Sequence, residues 1–198
     1  MGRPKAFDRD QALDQAVQLF WAQGYDATSM SDLRKAMGIG RQSLYDTFGD
    51  KQQLFGEVLD RYIGWNDEIL AVAFPADAGV DALRQHLYRV VHTMTDGAPR
   101  KGCLLMRTCN QVAPHDDRVA ARTQAALQSM TDTFRRVLEG AQSRGEISGD
   151  VDPTTAGRYL TSQAAGLGVL AQSGATATEL KAVVDTALNG LTIPDDRR

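Results

Sequence analysis

The sequence predicts an all-α chain of about nine helices, arranged as an N-terminal three-helix domain and a larger C-terminal helical bundle. Three observations predict it. Apolar residues recur at three- and four-residue spacing along the whole length, the two-residue alternation of strands is absent, and helix-start and helix-stop residues punctuate the pattern.

Asp8 is the predicted N-cap of the first helix, which lines up Leu13, Ala16, Val17 and Phe20 and ends at Gly24. Ser29 and Asp32 have capping-box spacing and open a short second helix with Met30, Leu33 and Met37 as its apolar stripe. Gly38-Ile39-Gly40 breaks that pattern, glycine allowing the positive φ of a tight turn. A third short helix, from Arg41 to about Thr47, buries Leu44, with Phe48 just beyond it. Asp50 caps a longer helix with Leu54, Phe55, Val58, Leu59 and Tyr62 inward.

Longer amphipathic helices follow. Leu83, Leu87, Val90, Val91 and Met94 form one stripe, ended near Gly97-Ala98-Pro99. A shorter helix spans roughly Cys103 to Val112 and stops at Pro114. Asp116 and Asp117 favour the next start through the macrodipole, and Val119, Leu127, Met130, Phe134, Val137, Leu138 and Ala141 follow. Asp152-Pro153 is an N-cap with proline at the first helical position, leading into Tyr159, Leu160, Gln163, Leu167 and Leu170. The last helix places Leu180, Val183, Val184, Ala187, Leu188 and Leu191 on one face.

Composition narrows the function. An apolar fraction of 42% supports a packed core, and 24% charged residues suit a water-exposed surface. No apolar run reaches about 18 residues, so no membrane span is expected. The first twenty residues carry Arg3, Lys5, Asp8, Arg9, Asp10 and Asp14 where a secretory signal needs an apolar core, so a cytoplasmic location is expected. His86, His92 and His115 have no metal-ligand spacing, and neither a G-x-S-x-G elbow nor a P-loop occurs. No enzyme, metal or cofactor is therefore expected. Cys103 and Cys109 are too few for a disulfide scaffold, and six residues apart on a helix they would lie about 120° apart.

The charge balance argues mildly against nucleic acid: net charge is -3 and the sequence pI about 5.6. Residues 1–65 hold eight Lys/Arg against nine Asp/Glu, and residues 66–198 hold fourteen against sixteen. A DNA reading must therefore rest on where particular groups sit. Two short helices around a glycine turn form a helix-turn-helix, whose second helix enters the major groove. Leu44 and Phe48, four apart, face the core, which turns Arg41 with Tyr45 and Gln42 with Asp46 outward. Arg and Gln match guanine and adenine edges. Ser43 and Tyr45 suit phosphate oxygens, as do Thr28 and Ser29 at a helix N-terminus and Lys51 at the next helix start. Arg3 and Lys5 in the leading tail suit the backbone or the minor groove.

Residues 3–51 resemble the DNA-binding region of the tetracycline-repressor (TetR) family of bacterial regulators. The stretches that carry the resemblance are R3-P4-K5, A16-V17-Q18-L19-F20, G24-Y25-D26-A27-T28-S29-M30 and G38-I39-G40-R41-Q42-S43-L44-Y45-D46-T47-F48-G49-D50-K51-Q52-Q53-L54. The resemblance implies a helix-turn-helix DNA-binding domain over 1–50 and a helical effector-binding and dimerisation domain over 51–198. It implies a homodimer on a palindromic double-stranded operator, released by a small molecule, with Thr28, Arg41, Gln42, Ser43, Tyr45 and Lys51 as DNA contacts. Asp46 departs from the larger or basic residue such proteins often carry there.

A dimer surface is expected at Gln163–Leu170, where small residues permit close helix approach, together with the Leu/Val stripe of the final helix; the alternative is that both helices pack inside one protomer. Trp65, Ile69, Met106, Asn110, Met130, Phe134, Gln163 and Leu167 are candidate linings of a largely apolar effector site, although such residues also make ordinary cores. Two other readings stay open. One is redox or electrophile sensing through Cys103, at a helix start near Arg100, Lys101 and Arg107. The other is a helical protein–protein adaptor without DNA affinity.

Overall fold

The structure, a computed structural model, describes residues 7–96 and 102–192. Among these residues nine α-helices follow one another: α1 (Arg9–Gln23), α2 (Met30–Met37), α3 (Arg41–Phe48), α4 (Lys51–Ala73), α5 (Val80–Thr95), α6 (Leu104–Gln111), α7 (Asp117–Ser143), α8 (Pro153–Gln172) and α9 (Ala177–Asn189). A single 3-10 turn, Ala113–His115, precedes α7, and the described residues contain no strand, only an isolated bridge between Ile147 and Thr192.

Local chemistry sets the helix starts. The Asp8 carboxylate accepts from the backbone N–H groups of Asp10 and Gln11 at 2.9 and 3.1 Å. Asp50 accepts from the Gln53 N–H at 2.8 Å while the Gln53 side chain accepts from the Asp50 N–H at 2.9 Å, a reciprocal cap on α4. Asp116 accepts from Arg118 and Val119 at the head of α7, and Asp152 from Thr154 and Thr155 at the head of α8. Each such cap contributes about 1 kcal/mol.

The chain divides into two compact units. The first comprises the described residues up to 65 together with 104–123, and the second the remainder. In the first, Phe20 and Phe55 are fully buried and meet edge to face at 5.0 Å, with Tyr25 4.8 Å from Phe55. Burying each phenylalanine contributes roughly 1.5–3 kcal/mol, so this cluster is what fastens α1 to α4. From α6, Arg107 Nη1 donates to the Trp21 and Ala22 carbonyls at 3.3 and 3.4 Å, where a positive charge meets the negative end of α1. The Gln52 side chain donates to Asp116 at 2.5 Å, and Arg122 pairs with Asp60 at 3.0 Å.

The second unit packs α5, α7, α8 and α9 around Leu83, Leu87, Phe134, Leu138, Leu160, Leu167, Leu180 and Leu188. A Cβ at Gly157 would lie 3.0 Å from the Thr131 carbonyl and 3.2 Å from the Arg135 N–H, so α7 and α8 touch there backbone to backbone. The Thr131 and Thr161 hydroxyls hydrogen-bond beside that contact at 2.9 Å. Gln142 holds the following turn, its amide donating to the carbonyls of Ser148 and Val151, both at 2.9 Å.

Two sequence expectations change here. Tyr159 and Leu170 face outward, because the inward face of α8 is built from Ala156, Gly157, Leu160, Leu167, Gly168 and Ala171. The α9 stripe of Leu180, Val184, Ala187 and Leu188 is spent inside the protomer core, leaving Ala182 and Thr186 outward.

Candidate nucleic-acid interface

The turn between α2 and α3 is made by Gly38, left-handed at φ 67°, whose N–H reaches back to the carbonyls of Arg34 and Lys35. Ile39 is buried just after it and pins the turn to the core. Leu44 and Phe48 are buried beneath α3, while Arg41, Gln42, Tyr45 and Asp46 stand exposed and Ser43 half-buried. The helix therefore has one face anchored and one polar face free.

That free face is internally ordered. The Gln42 amide donates to the Asp46 carboxylate at 2.8 Å, and the Arg41 guanidinium lies 5.9 Å from the centre of the Tyr45 ring. Asp46 thus partners Gln42 rather than Arg41. Lys51, at the start of α4, rests its ammonium 4.3 Å over the Tyr25 ring, which fixes it near the helix-turn-helix without neutralising it.

The two helix N-termini differ. Ser29 and Asp32 complete the capping box of α2: the Ser29 hydroxyl accepts from the Asp32 N–H at 3.1 Å and donates to the Asp32 carboxylate at 2.6 Å. Those Ser29 hydrogen bonds hold the Asp32 carboxyl below its ordinary pKa. A carboxylate thus already occupies the place expected for a phosphate. By contrast, α3 begins at Gly40 with no side-chain cap, so its first N–H groups face outward uncapped.

Thr28 requires a correction. It is 1% exposed, its hydroxyl donates to the Gly24 carbonyl at 2.7 Å, and its N–H donates to Tyr25 at 3.2 Å. Both of its donors are engaged in closing the α1–α2 joint, which leaves neither turned toward a phosphate. Conversely, Arg34 and Lys35 are exposed in the last turn of α2 and join the candidate contacts, their signal in the sequence being two adjacent basic residues just before the glycine turn. Arg3 and Lys5 lie outside the described residues.

Many of the acids have local structural partners. In the first unit Asp8, Asp32, Asp50 and Asp116 cap helices, while Glu57, Asp14 and Asp60 pair with Arg9, Arg61 and Arg122. Among the described residues, Arg34, Lys35, Arg41 and Lys51 stand outside those ion pairs, on the same stretch as Asp26, Asp32, Asp46 and Asp50, so α2, α3 and the start of α4 offer individual cations rather than a net basic patch.

The candidate effector residues are distributed over both units. Trp65 and Met106 are half-buried and Asn110 exposed in the first. In the second, Phe134 and Leu167 are sealed in the core, Met130 and Gln163 half-buried, and Ile69 exposed. Cys103 is half-buried against Gly168, and Arg107, one of the cations expected to activate it, is committed to the end of α1. Arg100 and Lys101 lie outside the described residues. No helix among the described residues is long and apolar enough to cross a membrane.

Comparison with known proteins bears on this geometry. Residues 12–58 match the family model of bacterial regulatory proteins of the tetR family, and residues 79–187 match the tetracyclin repressor-like C-terminal domain. The chain is 34% identical over 189 residues to the HTH-type transcriptional repressor ComR of Escherichia coli, covering 94% of this chain and 90% of that protein. It is 32% identical to the HTH-type transcriptional regulator YezE of Bacillus subtilis, covering 96% and 100%. Among solved structures, a cysteine mutant of the regulator CifR complexed with 26bp double-strand operator DNA superimposes with a TM-score of 0.82 at 29% identity, covering 94% of this chain and 98% of that one.

Proposed function

The chain belongs to the TetR family of DNA-binding transcriptional regulators, and on that premise we propose that it is a homodimeric repressor, released from a palindromic operator by a small, largely apolar effector. The observation that supports this reading best is the α3 surface, with Arg41, Gln42, Tyr45 and Asp46 exposed on an anchored helix. Arg41 and Gln42 read base edges in the major groove. Ser43, Tyr45, Lys51, Arg34, Lys35 and the uncapped N–H groups of α3 hold phosphates, which position the helix without reading sequence. The tail with Arg3 and Lys5 follows the adjacent backbone or minor groove. DNA binding is assigned to residues 1–50, effector binding and dimerisation to 51–198, and the protein to the cytoplasm.

One eight-residue recognition helix makes few contacts, so specific affinity needs two half-sites and hence two copies. Tyr159, Gln163, Gly166 and Leu170 form a stripe along α8 at four-, three- and four-residue steps, with Gly166 open to close approach by a second helix. An isologous pairing of this stripe, with Ala182 and Thr186 of α9 alongside, buries what one protomer leaves exposed. An effector that prefers the conformer with mis-spaced α3 helices then weakens DNA binding by its differential affinity, typically about 1–3 kcal/mol. Selection of bound duplexes from a random DNA pool tests the reading. Enrichment of an inverted repeat is expected; an asymmetric site, or no enrichment, contradicts it.

A further inference from the structure

One polar side chain in the second unit is packed into the core with a nitrogen left unpartnered among the described residues. His86 sits on α5 between Leu83 and Leu87, only 6% exposed. Its ring lies 5.1 Å from Phe74 and 6.3 Å from Phe134, and those two rings meet edge to face at 6.0 Å. The imidazole Nδ1 is sealed from solvent and has no hydrogen-bond partner among the described residues. An unpaired buried nitrogen is a standing cost that a phenylalanine in the same place would avoid.

We propose that His86 is the polar anchor of the effector site, its Nδ1 hydrogen-bonding the hydroxyl group of a compact aromatic ligand that packs against Phe74 and Phe134. This rests on the effector reading above and specifies its chemistry. Burial, with the charge of Arg89 adding to it, holds His86 neutral by lowering its pKa to about 4. A neutral imidazole offers one donor and one acceptor nitrogen. A hydroxyl both donates and accepts, so it satisfies Nδ1 in either tautomer, whereas a carboxylate finds no imidazolium to pair with. Aromatic neighbours favour an aromatic partner presented edge or face on.

The probes are p-cresol and toluene, which differ by the hydroxyl alone. With the full-length protein, p-cresol should bind about tenfold more tightly than toluene, the size of one well-made hydrogen bond. It should also move the Nδ1 resonance of His86 in nitrogen-15 spectra. In His86→Phe the advantage of p-cresol should vanish while toluene still binds; if that variant loses its helical circular dichroism, His86→Asn and the wild-type spectra carry the test. Equal affinities for the two probes, no binding of either, or an unmoved Nδ1 resonance at saturation overturns the assignment. Release of DNA by p-cresol that persists in His86→Phe overturns the anchor alone and leaves the effector reading standing. A moved resonance with unchanged operator affinity supports the anchor and overturns the effector reading.

Discussion

The Gln42 amide donates to the Asp46 carboxylate at 2.8 Å across one turn of the exposed face of α3. On the helix proposed to face DNA an acid repels phosphates, but here it also fixes the orientation of the amide proposed to read bases. Asp46→Ala should therefore raise affinity for every duplex several-fold while reducing discrimination at the base pair read by Gln42 by roughly 1 kcal/mol. Competition titrations with the selected operator and single-base variants check this; unchanged discrimination would separate Asp46 from Gln42.

Base reading and phosphate holding should separate by mutation. Arg41→Ala and Gln42→Ala should each cost about 1–3 kcal/mol on the operator and relax preference at one position per half-site. Tyr45→Phe and Lys51→Ala should weaken all duplexes alike, and Lys51→Ala should lower the salt slope by about one per half-site. Equal losses on every sequence for all four variants would refute the division.

The pH dependence of stability should carry the signature of His86. Its pKa falls from 6.5 to about 4 on folding, so between those values the unfolded chain binds the proton and the folded chain does not. Its contribution is therefore complete above pH 6.5 and lost as pH falls toward 4, amounting to about 3 kcal/mol. Asp32, Asp116 and Asp152, whose pKa values are lowered chiefly by hydrogen bonds from the Ser29, Gln52 and Thr155 side chains respectively, lose their contributions further toward acid, and those contributions remain in a His86→Phe variant. Urea unfolding at pH 4 to 8 should show a flatter acid limb in that variant; parallel curves would contradict it.

Assembly should depend on the outward α8 stripe. Leu170 is 42% exposed in the single chain, so Leu170→Glu costs little inside a protomer but places paired carboxylates across an isologous interface. Sedimentation should show monomers with native helical content, and operator binding should fall by more than tenfold. A dimeric variant with full operator affinity would move the interface elsewhere.

Much of this was legible in the sequence, because capping and helical phase are local. Asp8, Ser29 with Asp32, Asp50 and Asp152 cap where their spacing places them, and Leu44 with Phe48 fixes which side of α3 faces out. Thr28 was not legible, since its hydroxyl is claimed by the Gly24 carbonyl across a turn whose closure sequence periodicity does not report. The orientation of α8 was hidden because Ala156, Gly157, Gly168 and Ala171 line its inward face, and a stripe traced through large apolar residues follows Tyr159 and Leu170 instead. The burial of His86 was hidden because it lies within the Leu83–Leu87 stripe, and neither apolar periodicity nor metal-ligand spacing reports a single histidine packed there.

The most direct measurement is interference footprinting on the selected duplex with guanine N7 methylated, since N7 lies in the major groove. Two symmetric clusters of interference should lie about one helical turn, or a multiple of it, apart, and Arg41→Ala should erase the same guanine from each. No interference from any N7-methylated guanine, or a footprint indifferent to Arg41 and Gln42, would contradict the insertion of α3 into the DNA.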